Sequence, residues 1–105
     1  MIIEILKYID DNYRDGSLIQ ISYILKQSDY KISKLIKKHL NCTFKELLQE
    51  KKLAKSSELL IYTNMPITQI IEEVGYENLT YFYKIFKAKY NMTPKDYRKV
   101  NKKIV

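Results

Sequence analysis

Two stretches of this 105-residue chain repeat one another at a nearly constant interval. Leu18, Gln20, Ile21 and Leu25 return 49 positions later as Ile67, Gln69, Ile70 and Val74. Ile32, Lys34, Leu35, Ile36, Lys37, Asn41 and Thr43 return 50 positions later as Phe82, Lys84, Ile85, Phe86, Lys87, Asn91 and Thr93. The one-residue change of interval falls in a turn, where an insertion is tolerated. A chain built this way must hold two copies of one unit and something to join them.

The later copy shows most clearly what the unit is. At 100° per residue, Phe82, Ile85 and Phe86 gather on one helical face, and Thr80, Tyr83, Lys84 and Lys87 on the opposite one. An apolar back and a front of Lys, Tyr and Thr suit a helix packed in a small core whose front meets a polyanion. Each copy reads as a short helix, a tight turn and a second helix with a basic outer face, which is the helix-turn-helix plan. The competing structural reading is repeated bundle packing with solvated lysines. Lysines at matching positions in both copies count against it.

The rest of the chain is punctuated for helices. Ile2, Ile5, Leu6, Ile9 and Tyr13 fall at helical spacing, and Asp15-Gly16 is expected to end that helix with Gly in the left-handed conformation. Ser17 is an N-cap for a helix over 18–25, with Leu18, Ile21 and Leu25 inward, and Lys26-Gln27 turns the chain. Ser28 caps a helix over roughly 29–40, and Asn41 suits a left-handed stop. Thr43-Phe-Lys-Glu46 is a capping box that opens a long helix to Tyr62. That helix carries two opposed stripes, Phe44, Leu47 and Leu48 on one side, then Leu53 and Leu60 with Ser56 and Ser57 on the other. Two successive, opposed stripes suggest a helix joining two cores. Pro66 suits a further helix start, with Ile67, Ile70, Ile71 and Val74 inward. Gly75 is the turn, Asn78 a cap and Asn91 a second left-handed stop. Thr93, Pro94 and Asp96 open a last helix to about 101, and 102–105 are expected to fray.

The charge fits a polyanion partner. Residues 1–50 hold 8 basic and 7 acidic residues, whereas 51–105 hold 11 and 5, so most of the net +7 lies in the second half. An AT-rich genome would also enrich Lys, Ile, Asn and Tyr, so the excess is weak evidence alone. One cysteine, Cys42, forms no internal disulfide, which fits a reducing compartment. No signal peptide, lipidation motif or membrane-spanning apolar run is present. A cytoplasmic protein is expected. Catalysis finds no footing: His39 is the only histidine, Cys42 lacks a CxxC or His partner, and there is no Gly-rich phosphate loop. No enzyme, metal or cofactor is expected.

Ile67-Thr-Gln-Ile-Ile, Val74-Gly-Tyr, Tyr81-Phe, Phe86-Lys87, Thr93-Pro94 and Tyr97-Arg98 together resemble, in order and spacing, the DNA-binding domain of the AraC family of bacterial transcription regulators. The resemblance covers nearly the whole chain. It implies an all-α fold of seven helices, with two helix-turn-helix units (1–43 and 63–105) joined by a linking helix (44–62). The chain departs from the family at Ile71, where a small residue is usual, at Asn91 for Gly, at Lys52 for Arg and at Ser56 for Ala.

By analogy with the family, Tyr30, Lys31, Ser33 and Lys34 in the first unit, and Leu79, Thr80, Tyr83 and Lys84 in the second, face DNA base edges. Lys can donate to guanine, Ser, Thr and Tyr can donate or accept, and Leu can meet a thymine methyl. Ser17, Lys37, Lys38, Lys87 and Arg98 are the phosphate candidates, with a structural role the alternative for Arg98. About 18 residues of linking helix at ~1.5 Å each span roughly 27 Å, near the ~34 Å of one DNA turn. The expected function is therefore sequence-specific binding of double-stranded DNA in two successive major grooves, at the bacterial nucleoid. RNA polymerase is a further implied partner. A basic helical protein-interaction module is the alternative, and RNA binding is a weaker one. No second core or pocket signature is present for an effector or dimerisation domain. A stand-alone regulator or a piece of a longer one is expected, and Met1 leading almost directly into a helix suits a piece.

Overall fold

The computed structural model describes residues 1–102, and the fraying expected of the C-terminal tail falls largely on 103–105, outside them. The described residues form seven helices and no strand: α1 (Ile2–Asn12), α2 (Leu18–Leu25), α3 (Asp29–Leu40), α4 (Phe44–Tyr62), α5 (Ile67–Glu73), α6 (Leu79–Tyr90) and α7 (Pro94–Asn101). The chain divides into two compact units, Met1–Lys51 and Lys52–Val105, and the division falls inside α4. The opposed stripes of α4 follow from this. Phe44, Leu47 and Leu48 belong to the first core, and Leu53 and Leu60 are buried in the second unit.

Local chemistry sets the helix ends. Ser17, Ser28, Asn78 and Thr93 each accept a hydrogen bond from a backbone N–H three residues on, stopping the first turn from leaving that donor bare. Thr43 and Glu46 close the capping box, with Glu46 N–H donating to Thr43 Oγ1 (3.1 Å) and Thr43 N–H to Glu46 Oε1 (3.0 Å). Those bonds to Thr43 hold the Glu46 carboxyl below its ordinary range. Asn41 (φ 54°) and Asn91 (φ 59°) end α3 and α6 in the left-handed region. Asn adopts it at lower cost than other residues with a side chain. Lys26 (φ 55°) does the same after α2, and its turn is held by Gln27 N–H donating to the Ser22 carbonyl.

In the first unit Ile5, Tyr8, Ile9, Ile21, Ile32, Ile36 and Phe44 are the buried core, with Leu18, Leu25 and Leu35 packed against it. Two expectations about α1 change. Tyr8, not Leu6 or Tyr13, completes the inward face: its ring is buried, and its hydroxyl accepts from Ser17 N–H (2.9 Å) and donates to Gln20 Oε1. Gly16 is not left-handed; α1 ends earlier, at Asn12, and Gly16 N–H donates to the Asn12 carbonyl at 2.7 Å. A Cβ there would lie 2.5 Å from that carbonyl oxygen and 3.2 Å from the Tyr8 ring. Close approach, not a positive φ, requires the glycine.

In the second unit Ile70, Ile71, Val74, Phe82 and Phe86 are buried. Ile71, larger than the family's usual residue, is completely enclosed. Ser56 is buried too, and its hydroxyl is satisfied by donating to the Leu53 carbonyl at 2.7 Å. Gly75 (φ 96°) makes the turn after α5, while Pro66 stands at the N-cap, one place before its expected position. Phe86 lies 4.6 Å from the Tyr90 ring and 5.4 Å, edge-on, from Tyr97, so aromatic contacts tie α6 to α7.

Arg98 on α7 finishes α4. Its Nε donates to the Leu60 carbonyl (3.0 Å), and Nη2 lies 3.4 Å from the Leu59 and 3.3 Å from the Thr63 carbonyl oxygens. A cation at a helix C-terminus meets both the bare carbonyls and the negative end of the dipole. These bonds give Arg98 the structural role named as the alternative to a phosphate contact. Replacing Arg98 with Ala should cost about 1.5–3 kcal/mol of stability. Arg98→Lys should recover only part of that, because Lys lacks the planar fork. Urea denaturation of both variants checks this, and equal stability of Arg98→Ala and the parent would rule the clamp out.

Candidate nucleic-acid interface

The candidate surfaces are the outer faces of α3 and α6. Each helix is pinned from behind. Ile32 and Ile36, spaced four apart on α3, are fully buried, and so are their counterparts Phe82 and Phe86 on α6. Burial of two residues one turn apart fixes the rotation of a helix about its axis, so the opposite face must project. At most positions the two helices match in exposure. Tyr30 and Thr80, Lys31 and Tyr81, Lys34 and Lys84, and Lys37 and Lys87 are all exposed.

The predicted positions are distributed as follows. On α3, Tyr30, Lys31, Lys34, Lys37 and Lys38 are exposed, and Ser33 is half-buried. Tyr30, Ser33, Lys34 and Lys37 are drawn together around a groove of about 380 Å³, floored by Cys42, Thr43 and Phe44. Lys34 Nζ lies 5.7 Å from the Tyr30 ring centre, close enough for the cation to orient the ring. Lys31 and Lys38 do not line the groove. On α6, Leu79, Thr80, Tyr83, Lys84 and Lys87 are exposed. Tyr83 stands edge-on to the buried Phe82, 6.2 Å between ring centres, which holds its ring against the helix. Ser17 is exposed at the start of α2, its Oγ already accepting from Gln20 N–H. Arg98 is half-buried and turned to the carbonyls at the end of α4, as above.

Lys31, Lys34, Lys37, Lys38, Lys84 and Lys87 form no ion pair with a carboxylate among the described residues. Asp29, in the first turn of α3, is the only acidic residue on either helix. Two faces of unneutralised positive charge repel themselves and attract an anion. Two further cations share the repeat. Lys45 and Lys95 are exposed in the first turns of α4 and α7 and stand 50 positions apart, so the repeat itself carried the signal.

Behind α6, Lys52 occupies the position where the family uses Arg. Its Nζ lies 4.9 Å from the Tyr76 ring centre and 3.4 Å from the Gly75 carbonyl oxygen, so Lys here still ties α4 to the turn before α6. Tyr76 also meets Phe82 edge-on at 5.5 Å. Its hydroxyl is buried without a hydrogen-bond partner, and burial, with a smaller effect of Tyr81, pushes its ionisation up to about 12. Cys42 shows the same effect: burial first, then the Glu46 and Glu50 charges, raise its thiol above the ordinary value. It is a packed thiol rather than a nucleophile. Among the described residues no cluster of His, Cys, Asp or Glu could hold a metal, and no helix is long and apolar enough to cross a membrane.

A family model described as a helix-turn-helix domain matches residues 21–100. The chain is 33% identical, over 99% of its length, to the xylose operon regulatory protein of Escherichia coli K12, of which it covers 27%. Among solved structures it superposes on the xylose-binding transcription activator XylR with a TM-score of 0.89 at 33% identity, covering 97% of this chain and 27% of that one. It superposes equally fully on the C-terminal domain of AraT, a response regulator from Geobacillus stearothermophilus: TM-score 0.85, 31% identity, 95% of this chain and 84% of that one. The chain thus spans between about a quarter and nearly half of the length of the curated relatives it matches.

The Tyr76 hydroxyl supplies a test of this packing. A phenol whose folded-state pKa is raised stabilises the fold fully below the ordinary value of 10.0. That contribution is lost as pH rises from there toward about 12, because the unfolded chain releases the proton first. Ultraviolet difference titration should show one tyrosinate appearing late, and Tyr76→Phe should remove that late step. Loss of an early step instead would place Tyr76 in water.

Proposed function

The chain belongs to the AraC family of helix-turn-helix transcription regulators, whose domains of this kind bind double-stranded DNA, and on that premise we propose how it reads its site. One observation carries the reading. Two helices with buried backs present equivalent, unpaired lysines at Lys34 and Lys84, and again at Lys37 and Lys87.

In this reading α3 and α6 each enter a major groove. Lys34 and Lys84 donate to guanine O6 or N7, while Ser33, Thr80, Tyr30 and Tyr83 offer hydroxyls that either donate or accept. Lys31 flanks the first set, and Leu79 meets a thymine methyl. Ser17, Lys37, Lys38 and Lys87, joined by Lys45 and Lys95, hold phosphates and set the register without reading sequence. The 19 residues of α4, at ~1.5 Å each, support two grooves one turn apart. The site of action is the bacterial cytoplasm, on the nucleoid, and RNA polymerase is the partner through which binding would change transcription.

Selection of bound sequences from a random DNA pool should return a defined site, and footprinting should protect two patches about one helical turn apart. Against that site Lys84→Ala should weaken binding by ~1–3 kcal/mol and relax preference at one base position. Lys87→Ala should weaken all sequences alike and lower the salt slope by about 1. A selection that returns no preferred sequence would overturn the reading.

A further inference from the structure

On α3 the side chains of Tyr30, Ser33, Lys34 and Lys37 share one face, opposite the buried Ile32 and Ile36. The groove of about 380 Å³ that they border therefore lies on the reading face itself. Its floor is apolar. Phe44, 8% exposed, and the half-buried Cys42 form it, and burial keeps the Cys42 thiol protonated and uncharged. Thr43 stands beside them, but its Oγ1 already accepts from Glu46 N–H. The matching face of α6 carries the same kinds of group in exchanged places: Thr80 and Tyr83 stand where the first unit has Tyr30 and Ser33. Because the residue one turn from both Tyr30 and Lys37 is the small Ser33, the first unit keeps a recess between the Tyr30 ring and Phe44. In the second unit Tyr83 sets a ring at the corresponding place, edge-on to Phe82.

We propose that this recess reads the C5-methyl group of a pyrimidine in the major groove, an inference that rests on the DNA-binding reading above. The chemistry of the recess selects its occupant. Base edges in the major groove present donors, acceptors and one apolar group, the C5-methyl of thymine. A donor or acceptor pressed against ring carbon and a neutral thiol would lose its water and gain no partner, which is costly. A methyl group gains from the same burial. The charge around the recess brings the duplex to it. Lys34 and Lys37 on its rim form no ion pair with a carboxylate among the described residues, so their charge attracts the polyanion. A guanine held by Lys34 and a methylated pyrimidine beside it are then read together. The recess responds to the methyl and not to the base that bears it. It admits thymine and 5-methylcytosine and discriminates against uracil and cytosine, so binding at this position senses cytosine methylation.

The test uses the sequence found by selection. Each of its thymines is replaced in turn by uracil, which removes the methyl and leaves every hydrogen-bonding group in place. At one position or more, uracil should weaken binding roughly fourfold, the effect of exposing one buried methyl. At the position read by the recess, 5-methylcytosine should bind more tightly than cytosine by a similar factor. Ser33→Tyr installs the residue of the second unit and fills the recess, and Ser33→Leu fills it with a smaller group. Both should abolish the two differences at that position and leave any other thymine preference in place. Ser33→Ala removes only the hydroxyl and should retain them. A site at which no thymine is preferred to uracil would overturn the proposal. So would a preference that survives at every position in both filled variants, or one lost in Ser33→Ala, which would make the hydroxyl the reader. Loss of all specific binding in both filled variants, still folded by circular dichroism, would also overturn it, since the groove would then hold backbone rather than a methyl. Failure of the selection to return any preferred sequence would instead overturn the DNA-binding reading.

Discussion

The burial of two side chains on the back of each second helix governs the rest of this protein. Ile32 and Ile36 in the first unit, and Phe82 and Phe86 in the second, have essentially no contact with water. Each pair is worth several kcal/mol of burial, enough to outweigh the mutual repulsion of the exposed lysines opposite. Because the helix cannot rotate, Lys34 and Lys84 have no inward alternative. A basic face held rigidly toward solvent is what an anionic duplex requires.

The second constraint is length. Asn41 and Asn91 stop the two helices in the left-handed conformation, and Thr43 and Thr93 start the next helix two residues later. Helix, stop and restart occupy the same number of positions in both copies. The units differ in what they do with the restart. In the first it opens α4, which continues into the other unit; in the second it opens α7, whose Arg98 returns to close the end of α4. The helix that both units share is capped at its start from within the first and at its end by the second.

The copies also show which features are structural and which are free to vary. Ile32 and Ile36 against Phe82 and Phe86 vary in size but stay apolar, whereas the buried Ile71 has the polar, half-buried Ser22 as its counterpart. Outward positions on the second helices keep Lys at two places. Outward positions on the first helices change from Ile, Tyr and Ile to Thr, Glu and Glu.

Much of the candidate site was legible because its determinants are local. Angular counting placed Phe82 and Phe86 behind and Lys84 and Lys87 in front, and the caps at Ser28, Thr43, Asn78 and Thr93 need only a donor three residues away. The sequence by itself determined the seven helices, most of their ends, the two basic faces and the residues that back them. What it left open depends on partners distant along the chain. Tyr8 is core because its hydroxyl reaches Ser17 and Gln20. Gly16 is required by the approach of the Asn12 carbonyl and the Tyr8 ring. The gathering of Tyr30, Ser33, Lys34 and Lys37 over Phe44 joins two helices in one groove. Arg98 serves carbonyls 35 to 39 residues earlier. Periodicity and capping act within a turn or two of helix and can be read from neighbours. A contact between separate helices depends on how they pack, and only the tertiary structure decides that.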